Sequence, residues 1–171
     1  MDKKLPTRKN ARLPKFDYAA PGGYFVTICT KDRKCILSSV STNDDSVRHF
    51  VGEGLCTLPH ISLTQIGTEV EKSILYINDY HQYSVDKYVV MPNHIHLLIT
   101  ISEPTGGHRD PPLQAVIGRL KSYTTHKYGK PLWQRSYYDH IIRDMNDYLA
   151  AWQYIDENHL KWQLDEYFNH L

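Results

Sequence analysis

The chain has 171 residues, 41% of them hydrophobic and 23% charged, with a formal net charge of +1. That length suits one domain with its own core and excludes a comfortable pair, and the balance excludes a collagen-like or disordered chain. The charge is unevenly spread: Lys3, Lys4, Arg8, Lys9, Arg12 and Lys15 precede residue 16, Arg119 to Arg135 is basic, and Asp144 to Leu171 is mostly acidic. A near-zero sum therefore leaves room for a basic, phosphate-binding face. Cys29, Cys35 and Cys56 are odd in number and lack metal-site spacing. With no signal-like core after the basic N-terminus and no long apolar span, the expectation is a reduced, cytoplasmic protein without a membrane segment.

Residues 1–15, punctuated by Pro6 and Pro14, read as a basic N-terminal arm. "GYFVTICT", Gly23 to Thr30, is β-branched and aromatic and predicts a strand, with "CILSSV" (35–40) as its hairpin partner. Residues 41–59 are polar, with weak strand character near Leu55, and read as a variable loop or insertion. Leu63, Ile66, Val70, Ile74 and Ile77 fall at helical spacing within Ser62 to Ile77. Two strands follow, "YSVDKYVVM" and "HIHLLITI", joined at the turn "MPN". A Pro-Gly-rich loop, Glu103 to Pro112, leads into a helix over 113–129. That helix carries Leu113, Val116, Ile117 and Leu120 on one side. "SYYDHIIR" predicts a short strand, and a last helix spans Met145 to Asn158. Residues 159–171 form a C-terminal tail. The order strand, helix, two strands, helix, strand, helix is that of a split β-α-β sheet with helices on a face, within a single domain 1–171.

The chemistry starts with "YVVMPNHIHLLITI". In a strand, residues two apart share a face, so His94 and His96 point together while Ile95, Leu97 and Ile99 point away. Two imidazoles on one face can share a divalent cation and leave positions for water, a third ligand and a substrate oxygen. A bare His-x-His is equally the pattern of two hydrogen-bonded strand histidines. The turn before the pair and the apolar run after it put the histidines at the start of a central strand, where sites are commonly built.

Of 13 tyrosines, one stands apart. In "LAAWQYIDENH", Asn158 lies one turn after Tyr154 on the same helix face. Leu149, Trp152 and Ile155 make an apolar face. Ala150 and Ala151 leave room beside the ring, and Asn158 offers an amide oxygen as a third ligand.

"YVVMPNHIHLLI", "LWQRSYYDHIIR" and "YLAAWQYIDENHLKW", in this order, resemble the single-tyrosine HUH transposases, in particular the REP-associated tyrosine transposases. His94-Ile95-His96 matches the His-hydrophobic-His signature, and the likeness runs from about Arg12 to Phe168, interrupted at Ser41 to Pro59. It implies an α+β, ferredoxin-like antiparallel sheet with helices packed on it. It also implies Tyr154 as nucleophile, and His94, His96 and Asn158 as ligands of Mg²⁺ or Mn²⁺. The implied reaction is metal-assisted cleavage of single-stranded or hairpin DNA through a 5′-phosphotyrosine, followed by strand transfer. Relatives often carry Asn-Pro where this chain has Asn158-His159, and the departure offers His159 as a spare ligand. The protein would act as a monomer or homodimer.

DNA contacts are expected from Arg8, Lys9 and Arg12 on the arm, from Arg119, Lys121 and Lys127 on the basic helix, and from Trp133 and Arg135, a mix suited to phosphate tracking and base stacking. Histidine-triad hydrolases need a third in-phase histidine where Leu98 stands. A zinc hydrolase needs a further His, Asp or Glu at recognisable spacing. A domesticated protein that binds hairpins without cutting is the remaining alternative.

Overall fold

The computed structural model describes residues 20–41, 48–51, 54–57, 59–103 and 110–164. In chain order these form β1 (Gly22–Cys29), β2 (Ser38–Ser41), β3 (Arg48–Val51), β4 (Gly54–Thr57) and β5 (His60–Leu63), then α1 (Gln65–Leu75), β6 (Tyr83–Val90) and β7 (His94–Ile101). The chain continues with α2 (Leu113–Tyr128), β8 (Tyr138–Ile142) and α3 (Met145–Glu157), and a 3₁₀ segment Asn158–Leu164 closes the described part. The expected insertion contains the β3–β4 hairpin. "CILSSV" does not pair with β1: Ser38–Ser41 pairs antiparallel with β5 on the far side of that insertion.

The main sheet is antiparallel in the order β6-β7-β1-β8, the α+β ferredoxin-like arrangement expected. The alternation along β1 and β7 divides the core in two. Tyr24, Val26, Ile28, Ile95, Leu97, Ile99 and Ile101 pack with Val70 and Ile74 of α1 and with Leu113, Val116, Ile117 and Leu120 of α2. On the opposite face a smaller cluster of Val89, Met91, Leu98, Ile155 and Trp162 holds α3, with Phe25, Tyr148 and Ala151 at its margin. The α3 apolar face therefore differs from the one expected. Leu149 is 55% exposed and Trp152 lies under the Lys87 ammonium, so the inward line is the partly buried Tyr148 and Ala151 with the buried Ile155.

Helix α1 starts at Thr64, whose hydroxyl accepts from Gly67 N–H (3.1 Å) while its backbone N–H donates to Leu37 O (2.9 Å). The Leu37 carbonyl comes so close that a Cβ on Gly67 would lie 1.9 Å from it. Glycine is required there by proximity. Gly67→Ala should cost at least about 3 kcal/mol, the upper range for overpacking, because the obstacle is backbone. The measurement is a urea midpoint; an unchanged midpoint would disprove the contact.

Candidate active site

His94 and His96 are fully buried on the α3 side of central strand β7, as the strand period requires. Each ring is fixed at Nδ1. Asn93 Oδ1 accepts from His94 Nδ1 at 2.8 Å, and the Asn93 amide nitrogen donates to Arg33 O (3.3 Å), which sets the amide's orientation. The Thr27 hydroxyl, opposite in register on β1, meets His96 Nδ1 at 2.8 Å. The "MPN" turn is held in turn by the segment after β1: Thr30, Ile36 and Leu37 donate backbone N–H groups to Asn93 O and Pro92 O. Second contacts of this kind orient metal-ligating imidazoles and direct Nε2 toward the ligand position.

Tyr154 comes down from α3 onto the pair. Its ring meets His96 edge-on (centroids 5.1 Å apart, 72°) and Phe25 likewise (5.8 Å, 81°), and Phe25 stacks on His96 (5.2 Å, 22°). The two imidazoles are 4.5 Å apart. Asn158, buried at the end of α3, lies close enough to His94 to act on its protonation, and the Trp162 ring lies 6.0 Å from the His94 ring. Asp147, Ala151, Tyr154 and Asn158 follow one another at spacings of four, three and four, so one stripe of α3 crosses the sheet obliquely. Polar groups from α3 thus fall above β8 and β7 in succession. The helix is tied to edge strand β6 by Tyr148 Oη donating to Asp86 (3.1 Å) and by the Lys87–Asp156 ion pair.

Burial holds His96 down at about 3. His94 is also well below its ordinary value, through burial first, then the charges of His96 and Arg33, with the neighbouring Asn158 amide opposing them. Both rings are therefore neutral at neutral pH, the form in which imidazole ligates metal. Among the described residues no three His, Cys, Asp or Glu gather into a metal nest. The donor set is two neutral imidazoles plus the Asn158 amide, which fits a divalent cation that keeps water or substrate oxygens as its other ligands, and its nitrogen share suits Mn²⁺ better than Mg²⁺.

The same burial has a cost in acid. Unfolded histidine takes its proton near pH 6.5, so below that the unfolded chain binds more protons than the folded one. Stability is greatest above about pH 6.5 and falls as pH drops toward 3, by about 2 kcal/mol for His96 between pH 6.5 and 5, with His94 acting in the same direction. Urea unfolding of chelator-treated protein at stepped pH should show this slope, and His96→Gln should flatten it.

A cavity of about 400 Å³ opens beside Tyr154, lined by Phe25, Thr27, His96, Tyr138, His140, Asp147 and Ala151. A larger groove of about 540 Å³ runs between α1 and α2, past Tyr76, Tyr80, Arg119 and Tyr123. Its lining has cations and phenols but no imidazole, so chemistry favours the smaller one. His140 and Asp147 are absent from the sequence-based site. The signal for them was the alternation in "YYDHIIR", which puts Tyr138 and His140 on one strand face.

The expected DNA contacts do not assemble with this site. Arg119 donates to Tyr80 Oη (2.7 Å) and Lys127 lies 5.5 Å over the Tyr123 ring, both on the α1–α2 side of the sheet. Lys121 donates to the carbonyls of Gln134 (2.8 Å) and Arg135 (3.0 Å) and so braces that loop. Trp133 is buried in the larger core with its N–H on Thr124 (2.8 Å), which removes its ring from base stacking. Arg135 is exposed, and His159, half-buried after α3, sits beside the Asp156 carboxylate. Arg8, Lys9 and Arg12 lie outside the described residues.

No protein-family model matches the chain. In sequence it is similar to an uncharacterised protein of Haemophilus influenzae, 29% identical over 183 residues that cover 94% of this chain and 93% of the relative. Among solved structures it is similar to a candidate transposase from Deinococcus radiodurans (18% identity, 86% of this chain and 98% of that one, TM-score 0.44), a score too low to carry the fold. It is also similar to a REP-associated tyrosine transposase bound to a REP hairpin, at 22% identity over 85% of this chain and 71% of that chain, with a TM-score of 0.59. The resemblance read in the sequence thus extends to three dimensions: this chain has the fold of a REP-associated tyrosine transposase.

Proposed function

We propose that the protein is a transposase-type enzyme, a metal-dependent single-stranded DNA endonuclease and strand transferase acting at hairpin-forming sequences. The observation that carries this reading is the convergence of His94, His96, Asn158 and Tyr154, from one strand and one helix, in one cluster, with His96 and Tyr154 on the wall of the cavity beside it. His94, His96 and Asn158 would hold Mn²⁺ or Mg²⁺, which would supply charge neutralisation at the scissile phosphate.

The chain's own groups do the rest. Thr27 and Asn93 hold the imidazoles in place, and the edge contacts with Phe25 and His96 fix the plane of the Tyr154 ring. The Tyr154 oxygen bonds to phosphorus, the bond to the 3′ oxygen breaks, and a 5′-phosphotyrosine remains. That ester conserves the phosphodiester energy, so attack by another 3′-hydroxyl rejoins the strand without ATP. The likeness to a hairpin-bound transposase supports hairpin DNA as the substrate class.

The test is incubation of 3′-labelled hairpin oligonucleotides with randomised single-stranded flanks, with Mn²⁺ or with chelator. A metal-dependent covalent protein–DNA adduct supports the enzyme. Binding without an adduct across metals and flanks supports the domesticated, non-cleaving hairpin binder instead.

A further inference from the structure

The cavity beside Tyr154 has a second polar wall. Register places Tyr138 opposite Thr27 and His140 opposite Phe25, so both project from β8 to the α3 side. Asp147, in the first turn of α3, receives His140 Nε2–H at 3.0 and 2.9 Å on its two oxygens. The same carboxylate accepts Arg143 N–H (3.1 Å), and Asp147 N–H donates to the N-cap Asp144 (2.9 Å). The Arg143 backbone hydrogen bond, followed by the one from His140, holds the Asp147 carboxyl below its ordinary value. It is a fixed, ionised acceptor. An imidazole whose Nε2–H is pinned by such a carboxylate presents Nδ1 as its basic atom. His140, Asp147 and Tyr154 all line the one cavity.

We propose that His140, oriented by Asp147, is the proton-transfer group of this site, a role that rests on Tyr154 being the nucleophile. A phenol ionises near pH 10 in water, so attack at neutral pH needs an acceptor for its proton. His140 Nδ1 takes the Tyr154 proton, directly or through one water. The oxygen–phosphorus bond then forms and the bond from phosphorus to the 3′ oxygen breaks. The imidazolium returns its proton to the departing 3′ oxygen, which leaves as a hydroxyl. In rejoining, Nδ1 takes the proton of the incoming 3′-hydroxyl and gives it back to the Tyr154 oxygen. No proton is gained or lost over the cycle.

The titratable groups that line the cavity with His140 are Asp147 and Tyr154 from α3, Tyr138 from its own strand and His96 from β7, and of these Asp147 touches it. From β1 come Phe25 and Thr27, which do not titrate. The rival role for the pair is mechanical, a strap between β8 and the first turn of α3. His140→Gln separates the two, because glutamine keeps an N–H for Asp147 and accepts no proton.

The experiment measures single-turnover adduct formation on the 3′-labelled hairpin library with Mn²⁺, across pH, for wild type, H140Q and H140A. The expected result for H140Q is a rate about 10²-fold lower, with hairpin affinity and Tm unchanged and the acid limb of the wild-type pH–rate profile absent. Imidazole in the buffer should restore H140A, and this arm decides if H140Q does not fold. H140Q cleaving at the wild-type rate with the wild-type pH profile overturns the inference alone. Failure of the wild type to form a Tyr154-dependent adduct overturns the nucleophile reading and the inference with it.

Discussion

Tyr154→Phe should abolish the covalent adduct outright while leaving hairpin binding and thermal stability close to wild type. The variant removes one oxygen atom from a ring that is 42% exposed and whose packing against His96 and Phe25 is made by its edge and face. Phenylalanine keeps those contacts, so folding has little to lose. Under this reading the chemistry loses its nucleophile, because phenylalanine has no oxygen to carry the phosphoryl group. Denaturing electrophoresis of the 3′-labelled hairpin with Mn²⁺ is the readout. A labelled protein band surviving in Tyr154→Phe would remove Tyr154 as the nucleophile, whatever the fate of the metal site.

The second large effect belongs to the histidines. Replacing both His94 and His96 by Ala should eliminate Mn²⁺ binding, followed by titration calorimetry, together with metal-dependent adduct formation. The sheet should persist, as seen by circular dichroism. Both side chains lie on the α3 face, away from the larger core shared by the sheet, α1 and α2. Their backbone pairing with β1 and β6 is independent of the side chain. The cavities left behind destabilise the α3 layer, at a cost of order 2–4 kcal/mol, while the acid sensitivity of the wild type disappears with the buried imidazoles. Calorimetric Mn²⁺ binding retained by the double variant would place the ion elsewhere.

These residues were legible in the sequence because both lie in elements whose periods are rigid. A strand period of two put His94 and His96 on one face, and a helical turn put Asn158 beside Tyr154. Partner choice was less legible. "CILSSV" looked like the return strand of β1, yet it pairs with β5, because nothing local distinguishes an adjacent partner from one beyond an insertion.

The α3 apolar face was misjudged at Leu149 and Trp152 for a different reason. A lysine from β6 roofs Trp152 at the surface, and the line turned inward carries the polar Tyr148 Oη, satisfied by Asp86. Composition alone made Trp133 a stacking ring, whereas the Thr124 hydroxyl gives its N–H a partner inside the core. The His140–Asp147 pair joins two elements, and a sequence states only what lies within each.

The unequal halves of the core give the two faces of the sheet different freedom. One face is sealed by two helices and most of the buried aliphatic side chains; the other is closed by α3, the 3₁₀ segment and a handful of apolar contacts. His94 is 0% exposed and His96 1%, beneath Tyr154 and Trp162. Local opening draws on the least stable part of a structure first, and here that is the α3 layer. Amide hydrogens of α3 should therefore exchange ahead of those of β7.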